Sequence, residues 1–248
     1  MSYSNQLLIA NRTMQSHLFL QGSADKLFAS ELINSKSWQE FARSWEDLHQ
    51  DTFMADGGKY RFRRYSEFIL EPLNKQITTL DHVPYRQTKK NNYLNGDIDR
   101  LYSPMKEEIQ TNEAFRQVLL TCADVIFQLQ DTEEWLVQVF QNRIIASNES
   151  LGKPTPEGVH RDGVDFVLSL MIKYHNISGG ESSAYAEDGT NLKAKITLRE
   201  PGDFILLDDA LMKHSVEPIF CINPNKEGYR DVLIAMFTKR MRTSNLAI

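Results

Sequence analysis

Between Asp25 and Leu48 apolar residues recur at helical spacing: Leu27, Phe28, Leu32 and Ile33, then Trp38, Phe41, Trp45 and Leu48. The spacing predicts two helices, broken near Asn34-Ser35-Lys36-Ser37, with Ser23 and Asp25 as helix-start residues. Residues 1–23 are mixed and polar and read as a first strand or a loose arm. After the turn signal Asp56-Gly57-Gly58, the run Tyr60-Arg61-Phe62-Arg63-Arg64-Tyr65 alternates aromatic and basic positions, as in a strand with one face of each kind. Residues 74–105 are polar and rich in turn residues, including Asn91-Asn92 and Asn95-Gly96, and read as a long loop or lid. From Glu107 to Gln130, Ile109, Phe115, Val118, Leu119, Cys122, Val125 and Ile126 form a single helical stripe.

Beyond residue 130 the texture changes. Strand patterns follow one another at Trp135–Ile145, Val164–Tyr174, Lys195–Leu198, Phe204–Leu207 and Val232–Phe237, with turns at Gly179-Gly180, Asp188-Gly189 and Glu200-Pro201-Gly202-Asp203. A helix-rich part (1–130) followed by a strand-rich part (about 131–240) predicts an α+β, mainly β protein. The expected architecture is a jelly roll buttressed by N-terminal helices, in a single domain over 1–248.

Composition narrows the partners. The net charge is −5 and no long basic tract exists, which argues against nucleic acid. No stretch of about 18 apolar residues is present, so no membrane-spanning helix is expected. Cys122 and Cys221 are far apart in sequence and in apolar surroundings, and the N-terminus lacks the basic start of a signal peptide. A reducing, cytoplasmic setting is the simpler reading. Nothing in the chain sets an oligomeric state.

The candidate chemistry begins at His160-Arg161-Asp162. In a strand, positions i and i+2 share a face, so an imidazole and a carboxylate could meet one metal ion. Alone, a His-x-Asp pair is near the chance level for a chain with six histidines. His214 follows after the strand-like Phe204–Leu207, and two histidines with one carboxylate form the set that holds non-haem Fe(II) with open positions. Arg230 stands at the mouth of the apolar run Val232–Phe237, where a guanidinium needs an anion. That anion could be a bound carboxylate or merely Asp231 or Asp203. Asp165 would face the other side of a strand and is the poorer ligand.

The ordered set His160-x-Asp162, Gly179-Gly180-Glu181, Glu200-Pro201-Gly202-Asp203, His214-Ser215-Val216-Glu217-Pro218 and Tyr229-Arg230-Asp231 resembles the 2-oxoglutarate/Fe(II) dioxygenase superfamily. Within it the chain resembles the bacterial L-isoleucine 4-hydroxylase group. The resemblance covers about residues 135–240 and reaches more loosely to Tyr60–Tyr65. It implies a double-stranded β-helix, iron on His160, Asp162 and His214, and 2-oxoglutarate with its distal carboxylate on Arg230. O2 is the second cosubstrate, and succinate and CO2 are released as an aliphatic C–H bond is hydroxylated. The expected substrate is a small molecule, a free L-amino acid or related metabolite. Arg143 and Gln141, on the strand before the His-x-Asp segment, and Arg63, with Arg61 and Arg64 as rivals, are candidates for holding its carboxylate. Each has a plainer reading as a solvated surface group. Two alternatives stay open: the same cofactors acting on a tethered amino acid, a peptide or another small acid, and a non-catalytic cupin-like metal-binding protein, which would have no need of Arg230.

Overall fold

A computed structural model describes residues 3–29, 31–94, 96–130, 132 and 134–240. The turn read at Asn95 lies outside these. Helix α1 (Tyr3–His17) leads into strand β1 (Phe19–Gly22), then α2 (Lys36–Arg43), β2 (His49–Gln50), β3 (Arg61–Glu71) and β4 (Gln76–Thr79). Helices α3 (Glu107–Gln110) and α4 (Glu113–Phe127) follow. The strands β5 (Glu134–Ala146), β6 (Phe166–His175), β7 (Ile177–Gly179), β8 (Ser182–Ala186), β9 (Leu192–Ile196), β10 (Phe204–Asp208), β11 (Met212–Val216), β12 (Ile219–Cys221) and β13 (Gly228–Arg240) complete the chain.

Eight strands form one antiparallel sheet in the order β1-β10-β6-β13-β5-β3-β2, with β4 on β3. A smaller sheet, β11-β8-β9, and the pair β12-β7 face it. This is the expected jelly roll, with helices on the outer face of the large sheet. Side-chain alternation divides that sheet cleanly. Val137 and Val139 of β5, Leu168 and Leu170 of β6, and Leu233, Ala235 and Phe237 of β13 pack with Trp38, Phe41, Phe115 and Leu119 of the helices. The alternate positions Phe140, Val167, Met171, Val232 and Met236 face inward, toward Ala184 and Met212 of the smaller sheet.

The N-terminal arm is a helix rather than a strand or loose segment. Its buried stripe is only Ala10, Asn11 and Met14, too narrow to show as a period, and Asn11 Nδ2 donates to Val125 O of α4 at 3.3 Å. The first helix expected after Asp25 shrinks to the single turn Ala24–Lys26, whereas the second forms as α2, capped by Ser35. The helix expected over 107–130 divides at Asn112, whose side chain caps α4 through the Phe115 amide at 3.1 Å. The long loop contains β4 and a bridge between Tyr85 and Arg100. Both cysteines are unpaired, and among the described residues no helix is long and apolar enough to cross a membrane.

Candidate metal and cosubstrate site

Of residues 160–162 only His160 pairs, so the segment is a bridge and not the strand the spacing suggested. The bridge is what assembles the site. His160 N donates to His214 O at 2.9 Å and His214 N donates to His160 O at 2.8 Å. Directly opposed residues of an antiparallel pair project to the same side, and the two imidazole centroids lie 4.5 Å apart. Asp162 closes the group, with its Oδ2 3.5 Å from His214 Nε2 and its Oδ1 3.9 Å from His160 Nε2. One ligating atom from each of the three residues lies within 4.8 Å of the others.

The hydrogen bonds leave the right atoms free. His160 Nδ1 is 2.9 Å from Gly158 O, and a carbonyl can only accept, so Nδ1 carries the proton and Nε2 keeps its lone pair. Burial, with repulsion from His160 whenever that ring is protonated, pushes His214 down to about 3, so its imidazole is neutral at ordinary pH. Burial also opposes charge on His160, but Asp162 and Glu157 overcome it and raise its pKa. Burial likewise raises that of Asp162. Three titratable groups, each perturbed by burial and by its neighbours within one cavity, mark a candidate functional site.

Arg230 lies on β13 in the same cavity, which Ser169, Val216 and Ile234 also line. It is 3% exposed, and its Nε and Nη2 have no hydrogen-bond partner. Neither Asp231 nor Asp203 pairs with it: Asp231 points to the opposite face of β13, and Asp203 accepts from the Arg199 and Glu200 amides at 2.9 Å. Burial lowers the guanidinium to about 10. A buried cation with idle donors is a receptor for an anion. Gly180, at φ +71°, sits against it; a Cβ there would be 2.9 Å from Ile219 Cγ2, so the glycine keeps this wall of the cavity closely packed.

A family model for 2OG-Fe dioxygenases matches residues 42–236. The chain belongs to the 2OG-Fe dioxygenase family. Enzymes of this family use Fe(II), 2-oxoglutarate and O2. Among curated relatives, the dioxygenase is 24% identical over 205 residues to the 3(1)-hydroxy-L-isoleucine 4-dioxygenase of Pantoea ananatis, covering 81% of each chain. It is also 24% identical to a bifunctional enzyme, flvA, of Aspergillus flavus, but spans only 25% of that protein's length. A bsmA homolog from Methylobium petroleophilum superposes with a TM-score of 0.85 at 26% identity, over 94% of this chain and 93% of the other.

The dioxygenase's residues fit the family's cofactors. Two neutral-capable imidazoles and one carboxylate could hold a divalent iron from one side and leave positions open, and the orphaned Arg230 could take a carboxylate. Of the arginines expected near the substrate, Arg61 and Arg63 line the cavity. Arg63 lies 4.9 Å over the Phe140 ring, and both arginines share Asp51, at 2.8 Å from Arg61 Nη2 and 3.2 Å from Arg63 Nε.

Arg64, Gln141 and Arg143 are not brought to the cavity. On β5 the even positions Phe140 and Asn142 face it, so Gln141 and Arg143 face the helices, where Gln141 donates to Ser44 Oγ at 2.6 Å. Arg143 is held by Asp231 at 2.7 and 2.8 Å and by Glu46 at 3.0 and 3.2 Å. Arg64 binds Asp47 at 2.9 Å on that same outer side. Choosing one parity or the other moves every side chain to the opposite face. Asp165 also points away, accepting from Lys239 N at 2.6 Å.

Three residues of the site carried no signal in the sequence. Asp209 accepts from the amides of Asp162, Gly163 and Val164 at 3.0, 2.7 and 3.2 Å, and its Oδ1 is 3.6 Å from His214 Nδ1. It contacts two of the three candidate ligand positions at once. Gln87, from the long loop, donates to Asp162 Oδ1 at 3.3 Å. Glu157, in the turn before His160, has Oε1 3.4 Å from His160 Nε2.

Proposed function

We propose that this 2OG-Fe dioxygenase hydroxylates an aliphatic C–H bond of a free L-amino acid or closely related small metabolite. In this reading His160, Asp162 and His214 hold Fe(II), Arg230 holds the distal carboxylate of 2-oxoglutarate, and Arg63 receives the substrate carboxylate. When bound, the iron supplies oxygen activation coupled to conversion of 2-oxoglutarate to succinate and CO2. The protein supplies position and exclusion of water.

The observation that carries the substrate reading is the Arg61–Asp51–Arg63 set. Two guanidiniums on one buried carboxylate leave one positive charge in surplus on the cavity wall, apart from Arg230. A second anion beside the cosubstrate would balance it. That need favours a small free acid over a tethered peptide. The Pantoea ananatis relative, whose name gives a hydroxylated L-isoleucine as its substrate, supports the same class.

The test is succinate release from 2-oxoglutarate with Fe(II), ascorbate and each of a panel of free amino acids, with mass spectrometry for a gain of one oxygen. Stimulated turnover by at least one aliphatic amino acid is expected, and its loss in His160→Ala. A panel in which no free amino acid stimulates turnover refutes the substrate reading.

A further inference from the structure

Besides Asp162, one other carboxylate lines the cavity, and neither the metal set nor the cosubstrate anchor uses it. Glu157 is borne on a turn closed by Gly158 N donating to Thr155 O at 2.9 Å. Thr155 pins that turn to β11, donating from Oγ1 to Val216 O at 3.1 Å and accepting from Val216 N at 3.0 Å. The Glu157 side chain is 9% exposed, and it lines the cavity with His160 and Arg63. Its Oε2 is buried with no hydrogen-bond partner, and among the described residues only His160 lies within ion-pair distance of its carboxylate. Among the described residues none of the cavity's arginines pairs with Glu157: Arg61 and Arg63 lie against Asp51, with Arg63 Nε left without a hydrogen-bond partner, Arg100 donates to Gln87 Oε1 at 3.1 Å, and Arg230 keeps its idle donors for an incoming carboxylate.

A carboxylate oxygen kept from water without a donor is unfavourable unless a donor arrives with a ligand. The metal is a poor answer. A fourth protein ligand would occupy one of the positions that 2-oxoglutarate and O2 require on a three-residue set. 2-Oxoglutarate and O2 carry no donor at all. The donor that remains is the substrate's own.

We propose that Glu157 binds the protonated α-amino group of the substrate, opposite a carboxylate held by Arg63, so that the site selects zwitterions with an unsubstituted amine. This rests on the free amino acid reading above and sharpens it. Acids with hydroxyl in place of the amine lack the cation, and N-acylated amino acids lack both the charge and the space beside a turn pinned at Thr155.

The experiment compares matched pairs: L-isoleucine, L-leucine and L-valine, each against its 2-hydroxy acid and its N-acetyl derivative, with Fe(II), 2-oxoglutarate and O2. The readout is the ratio of kcat/KM within a pair, so that a general loss of activity cancels. The wild type should prefer the amino acid by about 100-fold, and Glu157→Gln should reduce that preference to about tenfold or less, as for loss of a charge-assisted hydrogen bond. Glu157→Asp should retain part of it. A preference that survives intact in Glu157→Gln overturns the assignment while leaving the amino acid reading standing. Co(II) titration runs in parallel: if Glu157→Gln weakens Co(II) binding and keeps the pairwise preference, the residue belongs to the metal and the proposal is wrong. If the variant does not fold, the wild type decides, since equal turnover of amino and 2-hydroxy acids overturns the proposal. A wild type that turns over none of the amino acids removes the substrate reading and this inference together.

Discussion

Replacing Arg230 by Met should make the empty protein more stable and leave it unable to use 2-oxoglutarate at ordinary concentrations. Methionine fills a similar length with no donors. In the wild type the guanidinium is buried, two of its nitrogens lack partners, and its pKa is held near 10. The sign follows from that depression: a cation whose folded pKa is lowered is penalised in the fold at every pH below that value. Relative to an ordinary arginine, the depression corresponds to about 3 kcal/mol at neutral pH. For a chain of this size that is on the order of 5–10 °C in Tm, reduced by whatever packing the Met fails to recover. Bound 2-oxoglutarate reverses the account in the wild type, since charge-assisted bonds contribute about 1.5–3 kcal/mol each. Arg230→Met should therefore raise the KM for 2-oxoglutarate by about 100-fold. Thermal unfolding with Co(II) as a redox-inert ion, with and without millimolar 2-oxoglutarate, reads both effects. The wild type should gain stability from the ligand and the variant should not. A variant that is less stable when empty, or that keeps the wild-type response to 2-oxoglutarate, refutes the reasoning.

Two further outcomes follow from side chains placed around the site. Asp209→Asn should weaken divalent metal binding by about 10–100-fold, measured by Co(II) titration, because Asp209 fixes the 162–164 amides and faces His214. Arg143→Met should destabilise the fold by about 3–5 kcal/mol in urea unfolding, since it strands the buried Asp231, while the KM values for substrate and 2-oxoglutarate stay at wild-type levels. A raised substrate KM there would return Arg143 to the cavity.

The residues that were legible in the sequence are those whose chemistry is rare for their setting. His160, Asp162 and His214 stand out as a ligand set, and Arg230 stands out as a charge in an apolar strand. What stayed hidden depended on parity and on long-range closure. The β5 run Phe140-Gln141-Asn142-Arg143 alternates polar and apolar too weakly to say which face is inward, because the helices bury its outer face as fully as the cavity buries its inner one. Asp209 is the second of two consecutive aspartates at the end of β10, and only the tertiary approach of the 162–164 amides distinguishes it from its neighbour. Helix α1 failed for a different reason: it buries three side chains, so tertiary docking onto α4 sustains it with little help from amphipathic spacing.

The cavity is bounded by walls of unequal mechanical character. Arg230 sits in β13, which is hydrogen-bonded along its whole length to β5 on one side and along most of it to β6 on the other. Across from it, Gln87 and Asn92 come from a stretch whose backbone bonds stay largely within itself: the Tyr85–Arg100 bridge, Asp97 N to Gln87 O at 2.8 Å, and the Asn91 and Asn92 amides to Thr88 O at 3.1 and 3.0 Å. Amides around Arg230 should exchange with deuterium only through global unfolding, and those of residues 86–94 through local opening at far lower free energy. Since Gln87 touches Asp162, each such opening also uncouples the soft wall from the candidate metal ligands. Changes in that loop can thus reshape what enters the cavity while the rigid strand keeps the Arg230 end of it fixed.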